Sequence, residues 1–357
     1  MDGISVFQQH TSTEGQNEWL DTAMAAGATT VFTSLHIPEE DATQHKAALL
    51  TLGQETRQRG LRLVADISAV TLRNLPFLTA PKEIWQLGLD GVRIDDGISP
   101  VVVSQLSQTF QILLNASTLT QELLFACEKH GLERTKVEAW HNYYPRPNTG
   151  VGMEWLYDRN QWIQSLGIKT AAFVAGDAER RGPLYDGLPT VERQRHMSPY
   201  TAALQLKRKG LVDYVLLGDP AWSMDMQNMW QISKDEKCIC LRYRQVLLDA
   251  AHQNVLQLPH TTRLDPSEDV VRSAVARRVA VEQKLEIAPL STKPRRRGTI
   301  TIDNSTYGRY QGELQLVKRP LPIDQRVNVV GEIVEEDLPI MELMRPGESF
   351  RLLPVQG

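Results

Sequence analysis

GVRIDDGISPVVVSQLSQTFQILLNASTLTQELLFACEKHG (residues 91–131) holds the plan of the larger part of this chain in miniature. Two short apolar runs, Gly91–Asp95 and Gln111–Asn115, carry Val, Ile or Leu on both faces. That is the pattern of parallel strands covered by helices on each side. After each run comes a helix-length segment, Pro100–Gln108 and then Gln121–His130. The first opens on proline, and the second stops at Gly131. Proline suits a first helical turn, and glycine suits the left-handed position just past a helix end. The stretch reads strand, helix, strand, helix.

Working outward, the same unit recurs in both directions. The other apolar runs are Ile4–Gln8, Thr30–Ser34, Leu61–Ile67, Val137–Asn142, Lys169–Ala175 and Tyr214–Gly218. Helical segments Glu18–Ala26, His45–Arg59 and Pro199–Lys209 separate several of them, with Gly60 and Gly210 expected at left-handed helix ends. The third connection, Val70–Gln86, looks irregular because Pro76 and Pro81 interrupt it. Eight strand–helix pairs before about residue 235 suit an α/β (β/α)8 barrel, a fold of ~250 residues. An open doubly wound sheet uses the same alternation. The count of eight favours the barrel, as do the polar residues at the strand ends: Gln8, Ser34, Asp66, Asp95, Asn115, His141 with Asn142, and Asp219. In a barrel these ends share one mouth.

The texture changes beyond residue 237. Thr299–Ile302, Tyr310–Val317, Val327–Ile333 and Ser349–Leu353 alternate apolar and polar residues between turn-forming stretches, as strands of an antiparallel sheet do. Glu268–Gln283 has helical Val/Ala spacing. The expected division is a barrel over residues 1–237 and a small β domain over 238–357, with a soft junction. Cys238 and Cys240 have one residue between them, which reads as buried thiols on a strand rather than a metal or redox pair.

Composition narrows the function. The 357 residues include 39 Lys and Arg against 43 Asp and Glu, a net charge of −4, which excludes a globally basic nucleic-acid binder. Three cysteines fit a reducing compartment. No apolar run reaches the ~18 residues of a membrane span, and MDGISVFQQH has no signal-peptide pattern. The expectation is a cytoplasmic protein with no membrane or nucleic-acid partner; assembly into a homo-oligomer stays open.

Candidate chemistry gathers at the strand ends. Asp66 and Asp95 close two strands, and Arg93 shares the parity of Asp95, so the two are expected to pair or act together. Asp96 points the other way by parity. Asn115 offers both a donor and an acceptor to a sugar hydroxyl; Ser117 or Thr118 is expected to cap the helix at Gln121. HNYYPR (141–146) concentrates His141, Asn142, Tyr144 and Arg146, with aromatic faces for sugar rings and a guanidinium for an anion. A plain loop is the lesser alternative reading. The loop 176–195 carries Arg180, Arg181, Arg193 and Arg195 beside Glu192, and barrels often hold phosphate on the loops after strands seven and eight. Asp66, Asp95, Glu192 and Asp219 offer several pairs of acids, and glycoside hydrolysis needs two. Asp95 with Glu192 is the preferred pair, by analogy with barrel glycosidases. No His/Cys spacing suggests a metal, and no dinucleotide, Walker or nucleophile-elbow pattern suggests a cofactor or serine nucleophile.

These residues resemble a known family. ISVF (4–7), VFTSL (31–35), ADIS (65–68), GVRIDDG (91–97), LNAST (114–118), HNYYPRPNTG (141–150) and GPLYDGLPTVE (182–192) resemble the bacterial 6-phospho-N-acetylmuramidases. TIDNSTYGRYQGEL (301–314) and RVNVVGE (326–332) extend the likeness through the second part. The resemblance implies a TIM barrel followed by a cyclophilin-like β domain. It implies cleavage of N-acetylmuramic acid 6-phosphate from N-acetylglucosamine, a phosphorylated amino-sugar disaccharide from peptidoglycan recycling. The chain departs from the family at Phe7-Gln8-Gln9-His10, where Tyr-Pro-Glu is usual, at Asp96, where a Tyr is common, and in the loop Gly176–Gly182. The alternatives are a lyase or isomerase acting on another sugar phosphate, and a non-catalytic phosphosugar binder.

Overall fold

The computed structural model describes residues 1–7, 13–35, 42–74, 87–95, 97–246, 249–290 and 293–355. Gln8 and its two followers, Asp96, and the prolines of the third connection lie outside the described residues. The chain forms two compact units, Met1–Trp230 and Gln231–Gly357.

In the first unit, eight parallel strands close into a barrel in chain order. They are β1 (Gly3–Ser5), β2 (Thr30–Ser34), β3 (Arg62–Ile67), β4 (Gly91–Ile94), β5 (Gln111–Asn115), β6 (Val137–Trp140), β7 (Lys169–Val174) and β8 (Tyr214–Leu217). β1 pairs with both β2 and β8, which closes the ring. The helices are α1 (Thr13–Ala25), α2 (Ala42–Gln58), α3 (Ala69–Asn74), α4 (Pro100–Leu106), α5 (Gln121–Lys129), α6 (Met153–Ser165), α7 (Pro199–Lys209) and α8 (Met224–Asp235). The third connection thus opens with a short helix. α5 starts at Thr120, whose hydroxyl accepts from Leu123 N, so the cap falls two residues beyond the expected Thr118.

Gly60 and Gly131 take left-handed φ of 66° and 100°. Gly210 does not: its φ is −96°, and Leu211 carries the positive φ of 52°. Gly210 is needed for closeness instead, because a Cβ there would lie 2.8 Å from Leu206 O.

Inside the barrel, Phe32, Val64, Leu113, Trp140, Phe173 and Leu216 pack as one apolar layer. Trp140 Nε1 donates to buried Glu138, which also accepts from Arg62 and Gln111. Side chains alternate along a strand, so the residue two places on from each layer member again faces inward. Those residues are Ser34, Asp66, Asn115, Asn142, Ala175 and Gly218, of which the first four are polar. The apolar plug therefore forms the floor of the mouth.

The second unit is built on a seven-stranded sheet ordered β10-β15-β9-β14-β12-β13-β11. Its strands are β9 (Ile239–Gln245), β10 (His260–Thr261), β11 (Val270–Arg272), β12 (Thr299–Asp303), β13 (Leu314–Val317), β14 (Val327–Ile333) and β15 (Ser349–Pro354), with helices α9 (Ala250–Leu256) and α10 (Ala276–Glu282). Only β9 and β15 run parallel; the other pairs are antiparallel. Cys238 and Cys240 are buried and form no disulfide. The expected helix Glu268–Gln283 begins as a strand and turns helical only at Ala276: Val270–Arg272 pairs with β13, which buries Val270, a placement that β-branched residues favour. The expected strand from Tyr310 begins only at Leu314, because Ser305–Tyr310 winds as a 3-10 segment broken at Gly308, φ 59°.

Candidate functional site

A cavity of about 360 Å³ opens at the carboxyl ends of the barrel strands, within the size range of small-molecule sites. Its wall includes Ser34, Asp66, Arg93, Asp95, Asn142 and Arg181. Phe32, Tyr143 and Phe173 supply apolar surface, with Tyr143 edge-on to both phenyl rings.

Asp66 and Arg93 face each other across the β3–β4 register. Arg93 Nη1 donates to Asp66 Oδ1 at 2.8 Å. Arg93 Nη2 donates to Trp140 O at 3.3 Å and also to Asn142 Oδ1. The expected partner of Arg93 was Asp95 on its own strand; the structure pairs it with Asp66. A guanidinium has no acceptor, so Asn142, which lines the cavity, must turn Oδ1 toward Arg93, leaving its amino group as a donor. Asn115 Nδ2 reaches the same Oδ1 at 3.4 Å, and Asn115 Oδ1 accepts from Ser117 N. Asn115 therefore supports Asn142 from behind. Asp95 follows β4, half-buried on the cavity wall, with its backbone N donating to Ile67 O at 2.9 Å.

His141 is fully buried at the base. Asn160 Nδ2 donates to Gly210 O, so Asn160 Oδ1 faces His141 Nε2 at 2.8 Å and that nitrogen carries the proton. Nδ1 is left as an acceptor toward Ser117 Oγ. Burial, aided by the charges of Arg93 and Arg159, lowers the imidazole pKa to about 4. His141 is neutral at physiological pH. Tyr144 meets Ser117 Oγ through its hydroxyl at 3.4 Å. Burial raises the Tyr143 phenol above its ordinary range.

Glu192 and Arg195 stand elsewhere. Glu192 lines a second cavity with Gly150, Tyr157, Arg193 and Lys209, not the mouth cavity that Asp95 lines. Its carboxylate accepts from Arg195 Nε and Nη2, both at 2.7 Å, and from Asn148 N and Gly150 N. The Arg195 bonds, joined by the two N–H groups, hold its pKa down at about 2. Arg195 is buried, and its remaining donors go to the carbonyls of Asp186, Gly187 and Arg146. The pair ties the loop 142–150 to the loop 186–195. Arg146 itself is exposed and contributes that carbonyl.

Asp219 is wholly buried after β8. Its Oδ2 accepts from Gly176 N at 2.8 Å and Leu188 N at 2.9 Å, and its Oδ1 from Arg181 N at 3.1 Å. Burial raises its pKa against the opposing pull of those N–H groups. A Cβ at neighbouring Gly218 would lie 2.3 Å from Leu188 O, so glycine lets the loop pass.

Of the four candidate acids, Asp66 and Asp95 share one cavity, while Glu192 and Asp219 each clamp loop backbone. Asn160 and Tyr143 were not among the candidate site residues. Asn160 had no signal, being one polar residue within a helix; Tyr143 sat in a motif already marked. Among the described residues, no group of three or more His, Cys, Asp or Glu could hold a metal ion, and no helix is long and apolar enough to cross a membrane.

A 95-residue stretch is 33% identical to the 5-methyltetrahydropteroyltriglutamate--homocysteine methyltransferase of Burkholderia mallei, covering 25% of this chain and 12% of that enzyme. This chain thus spans only about an eighth of the length of that curated relative. A conserved protein of Enterococcus faecalis superposes over 99% of this chain and 96% of that one, with a TM-score of 0.88 and 34% identity. A B. cereus protein matches over 99% and 100%, with a TM-score of 0.77 and 24% identity, a likeness of fold. The models of the 6-phospho-N-acetylmuramidase N-terminal and C-terminal regions match residues 2–234 and 239–353. A closed barrel with an acid-bearing mouth, a following β unit and both family matches lead to one conclusion: the chain belongs to the 6-phospho-N-acetylmuramidase family.

Proposed function

We propose that this protein is a glycoside hydrolase that releases N-acetylmuramic acid 6-phosphate from N-acetylglucosamine during the recycling of peptidoglycan. The observation that carries this reading is the presence of Asp66 and Asp95 on one cavity wall with Arg93. Glycoside hydrolysis asks for two carboxyl groups and a water, and no cofactor. Asp66, its charge held by Arg93, stabilises the positive charge that develops at the anomeric carbon. Asp95 gives the proton to the departing sugar oxygen and then takes one back from the water that adds to the anomeric carbon. The Asn142 amino group, held by Arg93 and Asn115, donates to a sugar hydroxyl or acetamido carbonyl, and Tyr143 offers a ring face. Asn115, His141 and Tyr144 keep that donor in place from behind, while Arg146 and Arg195 shape the surrounding loops.

The neutral, doubly engaged His141 favours hydrolysis over an isomerase or lyase that shuttles protons through histidine. A cytoplasmic site of action belongs to this reading. The cyclophilin-like character expected of the β unit belongs to it too. The test is incubation with N-acetylmuramic acid 6-phosphate linked to N-acetylglucosamine, followed by assay of free N-acetylglucosamine. No release, or release of a dehydrated or isomerised sugar instead, would overturn it.

A further inference from the structure

Arg181 stands out among the arginines of the barrel mouth. Arg93 is engaged by Asp66 and Asn142, and Arg195 by Glu192 and three carbonyls. Arg181 lines the cavity and makes no ion pair among the described residues. Its guanidinium lies 3.9 Å from the centroid of the Phe7 ring, and its Nη1 donates to Tyr143 OH at 2.9 Å. Stacking and one hydrogen bond fix the plane of the fork while leaving its charge for a ligand. A fixed guanidinium on a cavity wall is suited to an oxyanion, which it grips through two parallel hydrogen bonds.

The backbone beneath it is fixed as well. Asp219 accepts from Gly176 N at the start of the loop after β7, from Leu188 N further along it, and from Arg181 N between them. One buried carboxylate thus sets the loop that carries Arg181. We infer that Arg181 receives the oxyanion substituent of the substrate, and that Asp219 is the residue that positions it. This rests on the proposed phosphosugar reading, which offers two such groups, the 6-phosphate and the lactyl carboxylate.

Calorimetric binding of N-acetylmuramic acid 6-phosphate, N-acetylmuramic acid and N-acetylglucosamine 6-phosphate tests the assignment. Arg181→Ala should weaken N-acetylmuramic acid 6-phosphate by about tenfold or more, the loss typical of a charge-assisted contact. The loss should vanish for the analogue that lacks the group Arg181 holds. If it vanishes for N-acetylmuramic acid the group is the phosphate; if for N-acetylglucosamine 6-phosphate, the carboxylate. Arg181→Lys, which keeps the charge and loses the fork, should fall between. Asp219→Asn puts an amide donor against one of the three N–H groups and should cost a similar factor. Combined with Arg181→Ala it should cost nothing further, because coupled residues are not additive.

Equal losses on all three ligands, no loss on any, or no binding by the unmodified protein would overturn the Arg181 assignment. Full additivity in the double variant would remove Asp219 from the positioning role, and melting curves check that each variant is folded. Binding needs no turnover, so the two readings fail separately. Ligand-selective loss in a protein that cleaves no disaccharide sinks the hydrolase and keeps the oxyanion site. Cleavage that is indifferent to Arg181→Ala does the reverse.

Discussion

Arg93 and Asp66 are register partners on adjacent strands, and their side chains meet at 2.8 Å inside the barrel mouth. Both are nearly inaccessible to solvent. A desolvated charge needs a counter-charge close by. The residue opposite on the next strand is nearer than the second residue along the same strand, which lies about 6.6 Å away. The neighbour wins, and Asp95 is left at the cavity wall.

Asp66→Asn should therefore injure both folding and turnover. Removing one partner of a buried ion pair costs about 3–5 kcal/mol because the other charge is stranded. Thermal melting should show a clear drop in Tm, and replacing Arg93 with Met in the same chain should recover much of it. A Tm unchanged by Asp66→Asn would refute the pairing.

Asp95→Asn should behave differently. Asp95 is half-buried on the wall of an open cavity, so loss of its charge should move Tm little. Turnover of the phosphorylated disaccharide should fall by about 10²–10⁴-fold, the usual contribution of a positioned proton donor. Near-normal kcat in this variant would remove Asp95 from the chemistry.

Glu192→Gln separates a clamp from a catalyst. The Gln side chain keeps one acceptor but loses the charge that meets Arg195, so Tm should fall by a few degrees with kcat nearly unchanged below the transition. The pH dependence has a defined sign. The folded-state pKa, about 2, lies below the ordinary carboxylate value, so the stabilisation is present above about pH 4.5 and is lost as pH falls toward 2. A loss of kcat by orders of magnitude at constant Tm would make Glu192 a catalytic acid after all.

His141 and His260 should together make the protein acid-sensitive. Burial lowers both pKa values to about 4. The unfolded chain takes up protons near pH 6.5 while the folded one refuses them, so stability falls from pH 6.5 toward 4. Denaturant titrations at several pH values, repeated on His141→Gln, should show a shallower slope in that window for the variant. An unchanged slope would mean that His141 titrates normally.

Asp303 should show the opposite behaviour in the second unit. Burial, then the charges of Glu313 and Asp324, push its pKa up to about 7. The folded state holds that proton between roughly pH 4 and 7 while the unfolded chain releases it, so stability falls as pH rises through this range. Asp303→Asn should raise Tm at pH 8 and lose that advantage below pH 4. Equal Tm differences at both pH values would count against a raised pKa.

The chain order of strand and helix was written in the sequence, because burial on both faces demands unbroken Val, Ile and Leu runs such as Gln111–Asn115. The division into a parallel barrel and a largely antiparallel sheet followed from the change of pattern beyond residue 237, plainest in the alternating runs from Thr299 on. The HNYYPR motif falls at the carboxyl end of the barrel, where His141, Asn142, Tyr143 and Pro145 line the cavity. Pairing was not legible there. Whether Arg93 meets Asp66 or Asp95 depends on the register between strands, which no single strand encodes. Whether Glu192 faces the mouth depends on Arg195 three residues on and on the N–H groups of Asn148 and Gly150, which come from a loop more than forty residues earlier. Local propensity settles which residues form strands and helices. The use of a buried charge is decided by the nearest donor that folding brings to it, because an unpaired charge away from water costs more than the local chain can supply.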